Sequence, residues 1–174
     1  MTNTYCDEIG IETIKFMDKI IHIVKEHKPP LVKILINSGG GDASCYDILE
    51  KQVKELESLT TVVAINLENC FSASFDWFMM YANRAMTDSA KFLIHNSVYS
   101  FSGKSAEHIK KNIEVCTAFD ERWMNFFLFH SICHGMKKAE VKEIDTCLAY
   151  SKDIVIWKDQ AERWGVINIK LEDI

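Results

Sequence analysis

Three consecutive glycines follow directly after a short apolar segment in the first quarter of the chain. Residues 31–36 contain a single charge, Lys33, and lead through Asn37 and Ser38 into the glycines at 39–41. Glycine has no Cβ, so a glycine loop lets backbone N–H groups approach another group closely. The segment therefore predicts a strand that ends in a loop of accessible amides. A plain tight turn is the alternative, and a P-loop is excluded because no Gly-Lys-Ser/Thr follows.

The apolar periodicity alternates between the helical and the strand period along the chain. Helices are predicted over residues 11–27, 45–58, 75–81, 105–133 and 137–144, and strands over residues 31–36, 61–67, 92–95 and 166–171. Such alternation is typical of a parallel sheet flanked by helical layers. The sequence shows no internal repeat or linker, so residues 1–174 are predicted to form a single α/β domain.

The net charge, the cysteine spacing and the length of the apolar segments restrict which binding partners and which cellular compartment are expected. A net charge of −5 gives no reason to expect nucleic acid, because phosphate binding requires clustered Lys and Arg. The six cysteines form no C-x-x-C pair, which favours a reduced, cytoplasmic protein. No signal peptide begins the chain and no apolar stretch approaches ~18 residues, so no membrane span is expected.

Polar residues suited to acyl transfer occur at the ends of predicted strands. That chemistry needs a nucleophile, a base, a group that orients the base, and donors for an oxyanion. Ser72 stands between a strand and an apolar helix, His95 ends an apolar strand, and Asp153 precedes another apolar run. Each residue alone is more often a helix cap or a surface residue. Their occurrence together with the glycine loop favours a catalytic site.

Several motifs, in one order, resemble those of the ClpP peptidase family. Residues 36–41, Ile-Asn-Ser-Gly-Gly-Gly, resemble the family's I-N-S-P-G-G loop. Residues 70–74, Cys-Phe-Ser-Ala-Ser, resemble its G-x-A-x-S-x-G nucleophile turn, and residues 92–95 resemble its M-I-H strand. Residues 160–167 resemble its E-A-x-x-Y-G-L-I-D closing motif.

The resemblance covers residues 31–169 and implies a fold and a set of residue roles. The fold would be the ClpP/crotonase-like α/β spiral of β-β-α repeats, with a largely parallel sheet, flanking helices and a long handle-type helix. Ser72 would be the nucleophile and His95 the general base and acid. Asp153, reached by counting back from the closing motif with the family spacing, would orient the imidazole. The oxyanion hole would consist of the amides of Gly40, Gly41 and Ala73.

Ser74 is a rival for the nucleophile, because Ala73-Ser74 matches the family's Ala-Ser pair. Ser72 is preferred because its spacing to His95 requires less deletion relative to the family. Choosing Ser74 would also place Asp76 two residues further on, where a carboxylate would oppose the charge of an oxyanion.

Asp145 is the rival for the acid, but it requires an insertion before the closing motif that Asp153 does not require. Two residues depart from the family pattern: Gly39 replaces the loop proline, and Glu68 stands where the nucleophile turn has glycine. The residues before Ile11 leave little room for the family's strand and axial loop, so a divergent, N-terminally short member is expected.

The function implied by the resemblance is a serine endopeptidase that hydrolyses unfolded polypeptides inside a ring-shaped chamber, without a cofactor. It implies a homo-oligomer, heptameric or tetradecameric, with an AAA+ unfoldase as a candidate partner. The alternatives are a catalytically inactive ring subunit and a crotonase-type acyl-CoA enzyme. His130 and His134 have a spacing that can hold zinc, but an ordinary helix-end pair is favoured and no metal site is predicted.

Overall fold

The protein is built on a largely parallel sheet whose strands alternate with helices. A computed structural model describes residues 1–96, 105–150 and 152–174, except for the side chains of residues 119, 120 and 123. The strands are β1 (Thr2–Tyr5), β2 (Leu31–Ser38), β3 (Thr61–Phe71), β4 (Arg84–Met86), β5 (Lys91–Ile94) and β6 (Ile154–Ile156). The helices are α1 (Ile11–His27), α2 (Tyr46–Leu59), α3 (Ala73–Met79), α4 (Ala106–Cys133), α5 (Lys138–Ala149) and α6 (Lys158–Arg163).

The strands follow the order β1-β2-β3-β5-β6, and β4 pairs with β3 beside this path. All pairings are parallel except β5 with β6, which is antiparallel. Strand β3 pairs first with β4 through residues 64–66 and then with β5 through residues 69–71. A register shift between Ile36 and Ser38 aligns Ser38 with Cys70 at the end of β3. The ends of β2, β3 and β5 therefore lie side by side.

The main core lies between the sheet and the helices α1, α2 and α3. Helix α1 buries one apolar face, consisting of Met17, Ile20, Ile21 and Val24. Helix α3 is buried almost throughout, and its Trp77 packs edge-on against Tyr5 and Tyr81. A smaller cluster of Val63, Ile65 and Ala85 is covered by Ile169 and Ile174 near the chain end. Both layers follow from the apolar periodicity of the sequence.

A buried arginine joins β4 to the C-terminal segment. The Arg84 side chain is 5% exposed, and its guanidinium donates to the backbone carbonyls of Tyr81, Val166 and Gly165. The Nη2 atom also lies 3.2 Å from Nε2 of His130 on α4. Burial lowers the pKa of Arg84 to about 10, so the group stays charged at neutral pH.

Most of the predicted elements are confirmed, and the helix predicted over residues 137–144 extends to Ala149. The predicted strand over residues 166–171 is wrong. There the amides of Asn168 and Ile169 both donate to the Arg84 carbonyl instead of forming a ladder. The apolar alternation of this segment reflects its docking against the sheet, and the last strand is β6.

Three short strands, β1, β4 and β6, were not predicted. Strand β1 occupies residues 2–5 and pairs in parallel with β2, although little room for a strand was expected before Ile11. Strands β4 and β6 have only three residues each, too few for a period to be recognised. All three strands are defined by pairing with distant residues, which no local pattern reveals.

Candidate active site

Ser72 occupies a strained turn between β3 and α3. Its φ of 52° and ψ of −129° are unusual for a residue with a side chain, at a cost of about 1–3 kcal/mol. The Ser72 amide donates to the Leu93 carbonyl at 2.8 Å, and the Ser72 carbonyl accepts from the Phe75 amide at 2.8 Å. These bonds hold a half-buried hydroxyl at the end of a strand, as nucleophile turns of serine hydrolases do.

The predicted glycine loop lies directly against this turn. A Cβ added to Gly40, whose φ is 108°, would lie 2.8 Å from both Phe71 O and Ser72 Cβ. A Cβ on Gly41 would lie 2.2 Å from the Ile9 carbonyl oxygen. The loop is held by the Ile9 amide donating to Gly40 O and by the Asp42 amide donating to Ile9 O. Glycine is therefore required at both positions.

Two of the three predicted oxyanion donors lack an acceptor. Within the described part of the chain, the N–H groups of Gly41 and Ala73 make no hydrogen bond. The Gly40 N–H donates to Oγ of Ser38 at 3.3 Å, within its own loop. The glycine loop and the Ser72 turn therefore each contain an amide that could donate a hydrogen bond to an oxyanion.

The strand register places His95 and Asp153 at the same end of the β5–β6 ladder. Phe71 is level with Leu93 and Val155, and the ladder ends one row later at Ile94 and Ile154. His95 follows Ile94 and Asp153 precedes Ile154, so both residues are sequence neighbours of the last bonded pair.

The side chains of the predicted triad are not connected in this conformation. Among the described residues, no hydrogen bond or ion pair joins the Ser72 hydroxyl, the His95 imidazole and the Asp153 carboxylate. His95 is half-buried and Asp153 is exposed. The three predicted side chains are therefore near the ends of neighbouring strands without contacting one another through a hydrogen bond.

The rival residues lie in different surroundings. Ser74 is 0% exposed, and its hydroxyl donates to the carbonyls of Ser38 at 2.9 Å and Phe71 at 2.7 Å. Its hydroxyl therefore has a structural role at the centre of the turn. Asp145 lies exposed within α5.

A cysteine next to the turn is not a competing nucleophile. Cys70 is fully buried, and its Sγ donates to the Ser74 carbonyl at 3.1 Å. Burial raises the pKa of the Cys70 thiol well above its ordinary value. The thiol therefore stays protonated at neutral pH, when a thiolate would be needed for attack.

The sheet face next to His95 also carries a lysine that the sequence analysis did not single out. Lys91 Nζ lies 5.7 Å from the ring centre of Phe71 and 5.9 Å from that of Trp157. Lys91 and His95 share a face because they are four residues apart along one extended segment, which is the signal that could have identified Lys91.

A cleft of about 240 Å³ beside Asp153 is lined by Glu143 and Cys147, among others.

His130 and His134 stack on each other near the end of α4. Their rings stack with centroids 4.3 Å apart, His130 Nε2 lies 2.8 Å from Gly165 O, and His134 Nδ1 lies 2.8 Å from His130 O. The described residues contain no cluster of His, Cys, Asp and Glu that could hold a metal ion.

The described residues also contain no helix that is both long and apolar enough to span a bilayer.

Comparisons with known proteins identify the fold. No protein-family model matches the chain, and no curated protein matches it in sequence. Among solved structures it is similar to a point mutant of ClpP1 from Listeria monocytogenes, with a TM-score of 0.71 and 19% identity. The match covers 98% of this chain and 90% of the Listeria chain. This chain therefore has the ClpP-type α/β fold, in a sequence that has diverged far from its structural neighbour.

Proposed function

We propose that the protein is a serine-type peptidase of the ClpP kind, with Ser72 as its nucleophile. The observation that carries the proposal is the strained Ser72 turn packed against Gly40, next to amides without acceptors. Strain of this kind persists where the surrounding structure enforces it, and it concentrates at catalytic positions. Residues 1–174 would form one catalytic domain within a subunit.

The proposed reaction is acyl transfer through an ester on Ser72. The hydroxyl oxygen attacks the peptide carbonyl carbon while the His95 imidazole takes its proton. The amides of Gly41 and Ala73 donate to the oxyanion that forms. His95 then protonates the amine as the C–N bond breaks, and a water deprotonated by His95 hydrolyses the ester. Asp153 holds the imidazole in the required tautomer.

The triad requires side-chain rotation before it can act. Opposite residues of an antiparallel pair have Cβ atoms about 4.5–5.5 Å apart, a gap that an imidazole and a carboxylate can bridge. Asp153 is exposed, so its side chain can turn without breaking the core. Binding of a peptide or of neighbouring subunits would select the connected conformation.

We also propose that the chain forms a ring, with α4 at a subunit interface. This helix exposes a set of large apolar side chains: Ile113, Val115, Phe126, Phe129 and Ile132. Phe127 on the same helix is buried against Phe75, whereas Phe129 is 71% exposed. Clusters of exposed large apolar side chains mark protein–protein contacts. A heptameric or tetradecameric chamber for unfolded polypeptide, served by an AAA+ unfoldase, would fit this surface.

A fluorophosphonate probe tests the nucleophile. It should label the wild-type protein at Ser72, and Ser72→Ala should abolish both labelling and hydrolysis of a fluorogenic peptide. Ser58→Ala, at an exposed position on α2, is the matched control and should label normally. Labelling that persists in Ser72→Ala would refute the assignment.

An inactive ring subunit is the second candidate, favoured by the unconnected triad and by Glu68. The Glu68 carboxylate accepts from Nδ2 of Asn37 at 3.3 Å, so it lies beside the loop that precedes the glycines. A protein that forms rings in sedimentation velocity, but neither labels nor hydrolyses any peptide, would be this subunit. Sedimentation as a monomer at micromolar concentration would contradict both ring proposals.

A further inference from the structure

Asn96 links the strand that carries His95 to the end of α5. It follows His95 directly, and its Nδ2 donates to the carbonyl oxygen of Leu148 at 2.8 Å. Leu148 lies in the last turn of α5, where carbonyls have no intrahelical donor. The bond therefore ties the residue after His95 to the C-terminal turn of α5.

The same helix end also fixes the backbone before Asp153. The Lys152 amide donates to the Cys147 carbonyl at 2.9 Å, which folds the chain back directly after α5. Asp153 is the next residue, and β6 begins at Ile154. Leu148 and Asp153 are therefore the sequence neighbours of one hydrogen-bonded pair, Cys147 and Lys152.

Two bonded pairs flank His95 and Asp153. On one side, the β5–β6 ladder ends at the pair Ile94 and Ile154. On the other side stands the bond from Asn96 to α5. Among the described residues, no other side-chain hydrogen bond joins residues 95–96 to residues 147–153.

We propose that Asn96 is a positioning residue for the triad. Its bond to Leu148 holds the Asp153 backbone opposite His95, so that the carboxylate can orient the imidazole. Strand β6 has only three residues, and short terminal pairings fray easily without a second restraint. The assignment rests on the proposed peptidase function, because it acts through Asp153 and His95 on Ser72.

A double-mutant cycle on Ser72 labelling tests the assignment. The second-order rate constant for fluorophosphonate labelling is measured for wild type, Asn96→Ala, Asp153→Asn and the double variant. Asn96→Ala should lower it about five- to tenfold in the wild-type background, as loss of one orienting bond does. In the Asp153→Asn background it should cause no further loss, because the group that it positions is already absent.

Two more variants separate the bond from the side chain's bulk. Asn96→Asp keeps the shape but turns an acceptor toward the Leu148 carbonyl, and should reproduce the loss. Asn96→Gln keeps an amide donor with longer reach and should recover part of the rate. The matched control is Asn83→Ala, which removes an Nδ2 bond to the Val62 carbonyl at the opposite end of β3 and should leave labelling unchanged. Thermal unfolding confirms that each variant is folded.

The possible outcomes distinguish the two proposals. A wild-type protein that never labels removes the peptidase and the Asn96 assignment together. A wild-type protein that labels, with Asn96→Ala labelling equally fast, removes only the assignment. Equal losses from Asn96→Ala in both backgrounds, or the same loss in Asn83→Ala, would show a general structural effect and would also overturn it.

Discussion

Replacing Gly40 by alanine tests whether the close packing of the glycine loop against the Ser72 turn maintains the conformation of that turn. The new methyl group would lie 2.8 Å from Phe71 O and Ser72 Cβ, and φ is 108° at this position. The first contact is with backbone, so it cannot be relieved by turning a flexible side chain. Overpacking and the strained φ together should cost about 3 kcal/mol of the free energy of unfolding.

For a chain of 174 residues this loss corresponds to a fall in Tm of about 6–12 °C. Because relief of the clash must push Ser72 away, fluorophosphonate labelling should fall together with stability. Urea denaturation and labelling rates on the same preparation measure both effects.

Gly39→Ala is the control from the same loop. A Cβ at Gly39 meets no atom within 4 Å, and its φ is not in the left-handed region. That variant should stay within about 0.5 kcal/mol of wild type and should label normally. If Gly40→Ala were as stable and as reactive as Gly39→Ala, the close contact between the loop and Ser72 would be wrong.

Two further predictions concern the protonation of His130 and the rival serine, Ser74. Burial and the charge of Arg84 lower the pKa of His130, so below about pH 6.5 the unfolded chain binds a proton that the folded chain rejects. Urea denaturation should show stability falling as the pH drops from about 6.5, and a flatter dependence in His130→Gln. Ser74→Ala should cost about 1–3 kcal/mol in urea denaturation, because it removes a buried hydroxyl that donates to two carbonyls, yet it should keep labelling. Loss of labelling in Ser74→Ala with retention in Ser72→Ala would reverse the nucleophile assignment.

The order of the elements could be predicted because long periodic segments determine it. Helices α1 and α2 and strands β2 and β3 each bury a repeating set of apolar residues, and this repetition is visible without coordinates. The glycine loop was predictable for a similar reason, since consecutive glycines have few other uses.

What could not be predicted depends on contacts between distant residues. Strands β4 and β6 have three residues each, and only their pairing with β3 and β5 defines them. The bond from Asn96 to Leu148 spans 52 positions and involves a backbone acceptor, so no motif marks it. The orientation of the triad side chains depends on rotamers, which motif spacing does not encode.

The hydrogen bonds of the Arg84 guanidinium have a consequence for which residues of this protein can be substituted during evolution. Its acceptors on Tyr81, Val166 and Gly165 are all main-chain carbonyls, which every amino acid supplies. The bonds to Arg84 therefore do not depend on which side chains stand at positions 81 and 166. Gly165 is fixed for another reason, because its φ is 67° and an added Cβ would lie 2.4 Å from the His134 ring. The guanidinium has no such freedom, because a lysine lacks the planar fork that reaches several carbonyls at once. In homologues of this chain, residues around this position should therefore vary, whereas the arginine itself should be unchanged.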